Sequence, residues 1–169
     1  ATFAALLADQ AATAGKPEAL RNAPLVLWEP ILDGESYFQE VLRTNLTTQL
    51  AVYGKVKESR DALLDKIRGG GTVNVDGYEI GKPLLDSCGM PGLLPGGKRC
   101  HEGPVLVVQI AAGDQIKTRE DLGSLAQDYS AGSFLRAGEQ PFWREIKPFY
   151  GRAEDLQRVT LAWLEQANV

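Results

Sequence analysis

Residues 104–110 read Pro-Val-Leu-Val-Val-Gln-Ile, an apolar run of strand length broken by one amide. A strand covered on one face alternates apolar and polar residues. A run without alternation belongs to a strand buried on both faces. Residues 24–28, Pro-Leu-Val-Leu-Trp, repeat the pattern, and Pro30 ends it. Residues 133–137, Ser-Phe-Leu-Arg-Ala, read as a third short strand. Covering both faces of such strands takes helices on both sides, and alternating strands and helices imply parallel pairing. The fold class that follows is α/β, a parallel sheet flanked by helices.

The helices are legible from periodicity and breakers. Residues 1–14 are rich in Ala and Leu, with Phe3, Leu6 and Leu7 on one side and Gly15 and Pro17 as the stop. Ser36 opens a long helix, since Ser36 and Gln39 have capping-box spacing. Leu42, Leu46, Leu50 and Tyr53 are its apolar stripe, and Gly54 breaks it. A helix over 55–68 buries Leu63, Leu64 and Ile67 and ends at Gly69-Gly70-Gly71. Residues 72–80 read as a hairpin turning at Asp76-Gly77. Residues 81–103, rich in Gly and Pro, read as irregular. Thr118 caps a helix with Asp121 at its third position and Leu122, Leu125 and Tyr129 inward. The last helix, 152–166, repeats Leu156, Val159, Thr160, Trp163 and Leu164 at helical spacing. The segment 36–103 is too long for a simple crossover and is expected to cover one end of the sheet as a lid. The whole chain, 1–169, is expected to be one domain.

Composition excludes several functions. A net charge of −4 with both signs mixed argues against nucleic acid, which needs clustered Lys and Arg. No apolar run reaches the length of a membrane span, and no basic segment leads into an apolar core, so a cytoplasmic protein is expected. Cys88 and Cys100 read as two reduced thiols. With one histidine beside them they cannot fill a usual zinc site, so neither metal nor cofactor is expected. Residues 92–98 fit the start of a phosphate-binding loop. However, Arg99 replaces the hydroxyl that binds Mg²⁺, and no strand leads in. Ala1-Thr2 enters a helix with no cap before it, which reads as a cut through a longer protein.

The element order, together with residues 27–43 (LWEPILDGESYFQEVLR), 75–80 (VDGYEI) and 139–146 (EQPFWREI), resembles the second half of an α/β-hydrolase. More narrowly it resembles the hydrolase-like proteins associated with exosortase A systems, which belong to bacterial exopolysaccharide and protein-sorting loci. The resemblance spans nearly the whole chain, and its motifs are packing motifs. It implies a site at the carboxyl ends of the strands. It also implies a nucleophile in a G-x-S-x-G turn ahead of Ala1, followed by an acid and then a histidine. The missing N-terminal half, from the same gene product or a separate chain, is then the expected partner, completing the sheet beside residues 24–28.

Three loops fall at those strand ends: 29–35, 111–117 and 138–143. Asp114 takes the acid slot, with Asp33 as the alternative; an exposed or helix-capping carboxylate is the plainer reading of each. The histidine slot reads Gly138-Glu139-Gln140. An amide cannot take a proton from a serine near neutral pH, although it can hold a ligand by hydrogen bonds. Glu29, Asp33, Gln109, Glu139 and Trp143 are the expected ligand-binding residues, for a small acyl or carbohydrate molecule. Trp28, Phe142, Trp143, Phe149 and Tyr150 suit a pocket or the core, with the core favoured. The one histidine, His101, precedes the strand at 104–110, about 20 Å from its far end. Three readings follow: a non-catalytic hydrolase-like binding protein, an active esterase, thioesterase or lactonase, and a purely structural role in an exopolysaccharide system.

Overall fold

A computed structural model describes residues 1–14, 17–89, 92–113, 115–140 and 152–167. The chain divides into two compact units, Ala1–Leu32 with Leu93–Val169, and Asp33–Gly92. Leu93–Gly103, read from sequence as part of the insertion, belongs with the first unit.

The first unit holds α1 (Thr2–Thr13), α2 (Glu18–Arg21) and β1 (Leu25–Trp28). The second holds α3 (Gly34–Tyr53), α4 (Arg60–Arg68), β2 (Val73–Val75), β3 (Tyr78–Ile80) and α5 (Lys82–Cys88). The chain then returns to the first unit with β4 (Val105–Ile110), α6 (Glu120–Gln127), β5 (Gly132–Ala137) and α7 (Glu154–Gln166). Strands β1, β4 and β5 form a parallel sheet in that order, with Leu25 beside Val105 and Val105 beside Gly132.

All six residues of β4 are buried, as an unalternating run requires. Its side chains leave alternately to two cores. Val105 and Val107 join Leu25 and Leu27 against Ala5 and Leu6 of α1 and Leu122 and Leu125 of α6. Leu106, Val108 and Ile110 join Val26 and Ala137 against Leu156 and Trp163 of α7. Each fully buried aliphatic side chain contributes roughly 1.5–3 kcal/mol, so the central strand anchors both layers.

β1 departs from expectation. Leu27 alone is buried, and Trp28 is 41% exposed, because β1 is an edge of this sheet. In α1, Ala5 is buried and Leu7 faces out; the side chain of Phe3 lies outside the described residues. The α6 helix starts at Glu120 after Arg119, with no side-chain cap from Thr118. Gly132 opens β5 so close to α6 that a Cβ there would lie 1.8 Å from the carbonyl oxygen of Ala126.

In the second unit, Phe38, Leu42, Leu63, Ile67, Val73 and Val75 form the core. The start of α3 lies earlier than the Ser36–Gln39 spacing implies. Asp33 is the cap, accepting from the N–H groups of Glu35 and Ser36 at 3.2 Å each. The Ser36 hydroxyl is turned back onto the same carboxylate. The buried stripe of α3 is Phe38, Leu42 and Gln49, while Leu50 and Tyr53 are more than half exposed. Residues 55–59 stay outside α4, whose N–H of Ala62 bonds the Ser59 hydroxyl. The hairpin turns where read, with Asp76 at φ 50° and Gly77 at φ 90°, as a two-residue turn of the mirror type demands. The helix α5 lies in the stretch read as irregular. It is seven residues long and buries no residue fully, so it leaves little periodic signal.

Candidate functional site

The carboxyl ends of β1, β4 and β5 bring together Glu29, Gln109, Arg119 and Asp121, with Glu139 and Asp155 at the β5 end. The backbone ladder between β1 and β4 ends with the Glu29 N–H donating to Val108 at 3.0 Å. The Glu29 carboxylate adds one more rung. Its Oε1 accepts the Ile110 N–H at 2.9 Å, and its Oε2 accepts from Arg119 Nη1 at 3.1 Å. Glu29 has a φ of 39°, an uncommon backbone for a residue other than glycine. Both oxygens of its carboxylate are engaged, by the Ile110 N–H and by Arg119, and strained backbones of this kind cluster at active sites, ligand clamps and switch regions.

Arg119 bridges two acids. Its Nε and Nη2 form a fork onto Asp121 at 3.1 and 2.6 Å, and Nη1 reaches Glu29. The Asp121 hydrogen bond, ahead of the charges of both acids, raises the Arg119 pKa. The Arg119 hydrogen bond in turn holds the Asp121 carboxyl below its ordinary value. Gln109, only 2% exposed, fastens the loop after β4: Nε2 donates to the Lys117 carbonyl and Oε1 accepts the Arg119 N–H, both at 3.0 Å. Arg136 of β5 donates to the Ile116 carbonyl at 3.0 Å, fixing the same loop from the other side.

After β5 the contacts are reciprocal. The Gly138 N–H donates to Asp155 Oδ2 at 2.6 Å, and the Asp155 N–H donates to Glu139 Oε1 at 2.7 Å. The Gly138 bond first, and Arg158 second, hold the Asp155 carboxyl below its usual range. Glu139 thus sits at the start of α7, where acids satisfy free N–H groups. Gln140 is exposed.

Of the residues singled out from sequence, Glu29 and Gln109 meet through Arg119. Both Glu29 oxygens and both amide atoms of Gln109 are engaged in holding the loops. Glu139 joins Asp155. Asp33 belongs to the second unit and caps α3, with its carboxyl lowered chiefly by the Ser36 hydroxyl. Asp114 and Trp143 lie outside the described residues, as do Phe142, Phe149 and Tyr150. Sequence reasoning named Asp121 only as a helix-start residue and passed over Arg119 and Asp155. Their signal was charge clustered at helix starts after strands, which reads equally as ordinary solvated helix ends.

His101 lies at the opposite end of the sheet, ahead of β4. The residue is 2% exposed, and its Nε2 donates to the Ala23 carbonyl at 2.9 Å. Its backbone N–H and that of Cys100 donate to Asp9 Oδ1 at 3.1 and 3.0 Å. Burial, and then the charge of Asp33, push the Cys88 thiol pKa up, away from thiolate reactivity. The glycine loop at 92–98 offers no open anion cradle at Gly96, whose N–H is taken by Asp128 Oδ2 at 2.9 Å. Among the described residues no group of three or more His, Cys, Asp or Glu could hold a metal ion, and no helix is long and apolar enough to cross a membrane. No family model, curated protein or solved structure matches this chain.

Proposed function

We propose that the chain is an α/β-hydrolase-like protein that binds a small acyl or carbohydrate ligand without turning it over, in a cytoplasmic, exopolysaccharide-associated setting. Asp33–Gly92 is then its insertion. The observation that carries the reading is the position of the chain's single imidazole. His101 is buried at the amino end of β4, with Nε2 committed to a carbonyl, while the exposed amide Gln140 follows β5. A general base must come within about 3 Å of its proton, and six strand residues separate the two ends by about 20 Å. Hydrolysis of p-nitrophenyl acetate by residues 1–169 together with the proposed N-terminal half is expected to stay at the uncatalysed rate. Turnover that Asp114→Asn abolishes would overturn the reading in favour of a serine hydrolase with its nucleophile ahead of residue 1.

The same proposal includes a strand paired in parallel against β1, from the N-terminal half of the fold. Leu25–Trp28 carries no charge, whereas β5, at the opposite edge, carries Arg136. Edges that face water are usually guarded by charge. α1 covers the same face as α6. Parallel crossovers are right-handed, so a strand feeding α1 would lie on the outer side of β1. If residues 1–169 alone give a soluble monomer that unfolds cooperatively, this part of the proposal fails.

A further inference from the structure

The chain contains two Asp-Gly dipeptides, Asp33-Gly34 and Asp76-Gly77. At Asp-Gly an aspartyl side chain closes most readily on its own backbone, because glycine puts no side chain in front of its amide nitrogen. The two dipeptides sit in opposite surroundings. The Asp33 carboxylate is pinned by three donors, the N–H groups of Glu35 and Ser36 and the Ser36 hydroxyl. The hydroxyl, chief among these, lowers its pKa, so the neutral acid that could lose water is scarce. Gly34 is the first residue of α3 and lies against α5, since a Cβ there would come 2.7 Å from the Cys88 carbonyl oxygen. At the hairpin tip, Asp76 and Gly77 are both exposed, and nothing lies within 4 Å of where a Cβ of Gly77 would be. No ion pair among the described residues includes Asp76. One exposed bond restrains Gly77, whose N–H donates to Asn74 Oδ1 at 3.1 Å.

We infer that Asp76-Gly77 is the site at which this chain forms isoaspartate, and that Asp33-Gly34 is protected. The Gly77 nitrogen attacks Cγ of Asp76. The N–Cγ bond forms, and the acid's hydroxyl leaves with the amide proton as water. The cyclic imide then takes up water at either carbonyl. Opening at Cγ restores aspartate. Opening at the backbone carbonyl leaves the chain running through Cβ and Cγ, with no net change in mass and no oxidant or reductant. The added methylene falls in a two-residue turn that has no room for it. The Val75–Tyr78 pair that closes the turn is then lost, and with it the seat of Val73 and Val75 in the second unit's core. The inference is independent of the site at the sheet.

The full chain is aged near neutral pH at physiological temperature and digested. Its peptides are separated and fragmented at the Cα–Cβ bond that marks a β-linked aspartate. A same-mass isomer of the peptide spanning 76–77 is expected to accumulate. The peptide spanning 33–34 should isomerise at least about tenfold more slowly, because its hydrogen bonds must open first. In urea, where neither site keeps its surroundings, the two rates should converge. Asp76→Asn, which suits the same turn, should speed the reaction through the same imide, with ammonia leaving in place of water. Asp76→Ser should abolish it. The inference is overturned if 76–77 stays unmodified in the folded chain, if 33–34 keeps pace with it, or if the disparity survives in urea. It is equally overturned if Asp76→Asn is no faster than wild type or if the isomer persists in Asp76→Ser.

Discussion

Removing the Arg119 guanidinium leaves two carboxylates without their shared counter-charge, and one of them, Glu29, is only 11% exposed at its side chain. Breaking a fully buried pair costs several kcal/mol, but Arg119 reaches solvent over about a third of its side chain. Arg119→Ala is therefore expected to lower stability by about 1–2 kcal/mol in urea unfolding. Arg119→Lys should recover only part of the loss, because a point charge cannot make the fork onto Asp121. Tyr129 gives the opposite sign. Its hydroxyl is buried without a partner among the described residues, and burial pushes its pKa up to about 12. Tyr129→Phe should be neutral or stabilising by about 1 kcal/mol at pH 7, since an unmade hydrogen bond is removed. A raised folded pKa favours the folded state fully below about pH 10, the unfolded value, and the benefit is lost as pH rises toward 12. The variant should accordingly unfold less steeply than wild type across that alkaline window. Asp121 and Asp155 act at the other end of the scale. Their folded values are lowered, so their contribution is present above about pH 4 and lost as pH falls through those lower values. Asp121→Asn with Asp155→Asn should flatten the acid limb of a stability–pH curve.

The elements divide by how local their causes are. α7 and α4 were legible because a single stripe decides each: Leu156, Thr160 and Trp163 in one, Leu63 and Ile67 in the other. α3 was legible as a helix, and Leu42 and Leu46 of the expected stripe do face the core, but its C-terminal half, with Leu50 and Tyr53, was misread. Gln49, which any hydrophobic count skips, is buried because its amide supplies the hydrogen bonds the 57–58 backbone needs. Leu50 is exposed in consequence. Gln49→Ala should cost about 1–2 kcal/mol and raise amide exchange at Lys57 and Glu58, whose N–H groups lose their acceptor. The junction of α6 and β5 is set by Gly132. Gly132→Ala places a methyl against the Ala126 carbonyl with no side chain able to give way. A loss of about 3 kcal/mol or more is expected, read as a lowered thermal midpoint.

At the scale of the molecule, β4 holds two layers together and β1 ends the sheet without a guard. Leu25–Trp28, an apolar edge of the sheet among the described residues, is a template for self-association, because such an edge presents unpaired N–H and C=O groups. Concentration-dependent association of residues 1–169 is expected, read by light scattering, and Trp28→Lys should suppress it. What the sequence by itself determined were features with local causes: the unalternating run of β4, the glycine-directed hairpin, the stripe of α7, and a lone histidine on the amino side of a strand. Only the tertiary structure decided that β1 is half exposed and that Glu29, Gln109 and Arg119 meet. The physical reason is separation along the chain. Glu29 and Arg119 are 90 residues apart, and their pairing follows from the parallel register of β1 on β4. No periodicity or spacing within either segment carries that register.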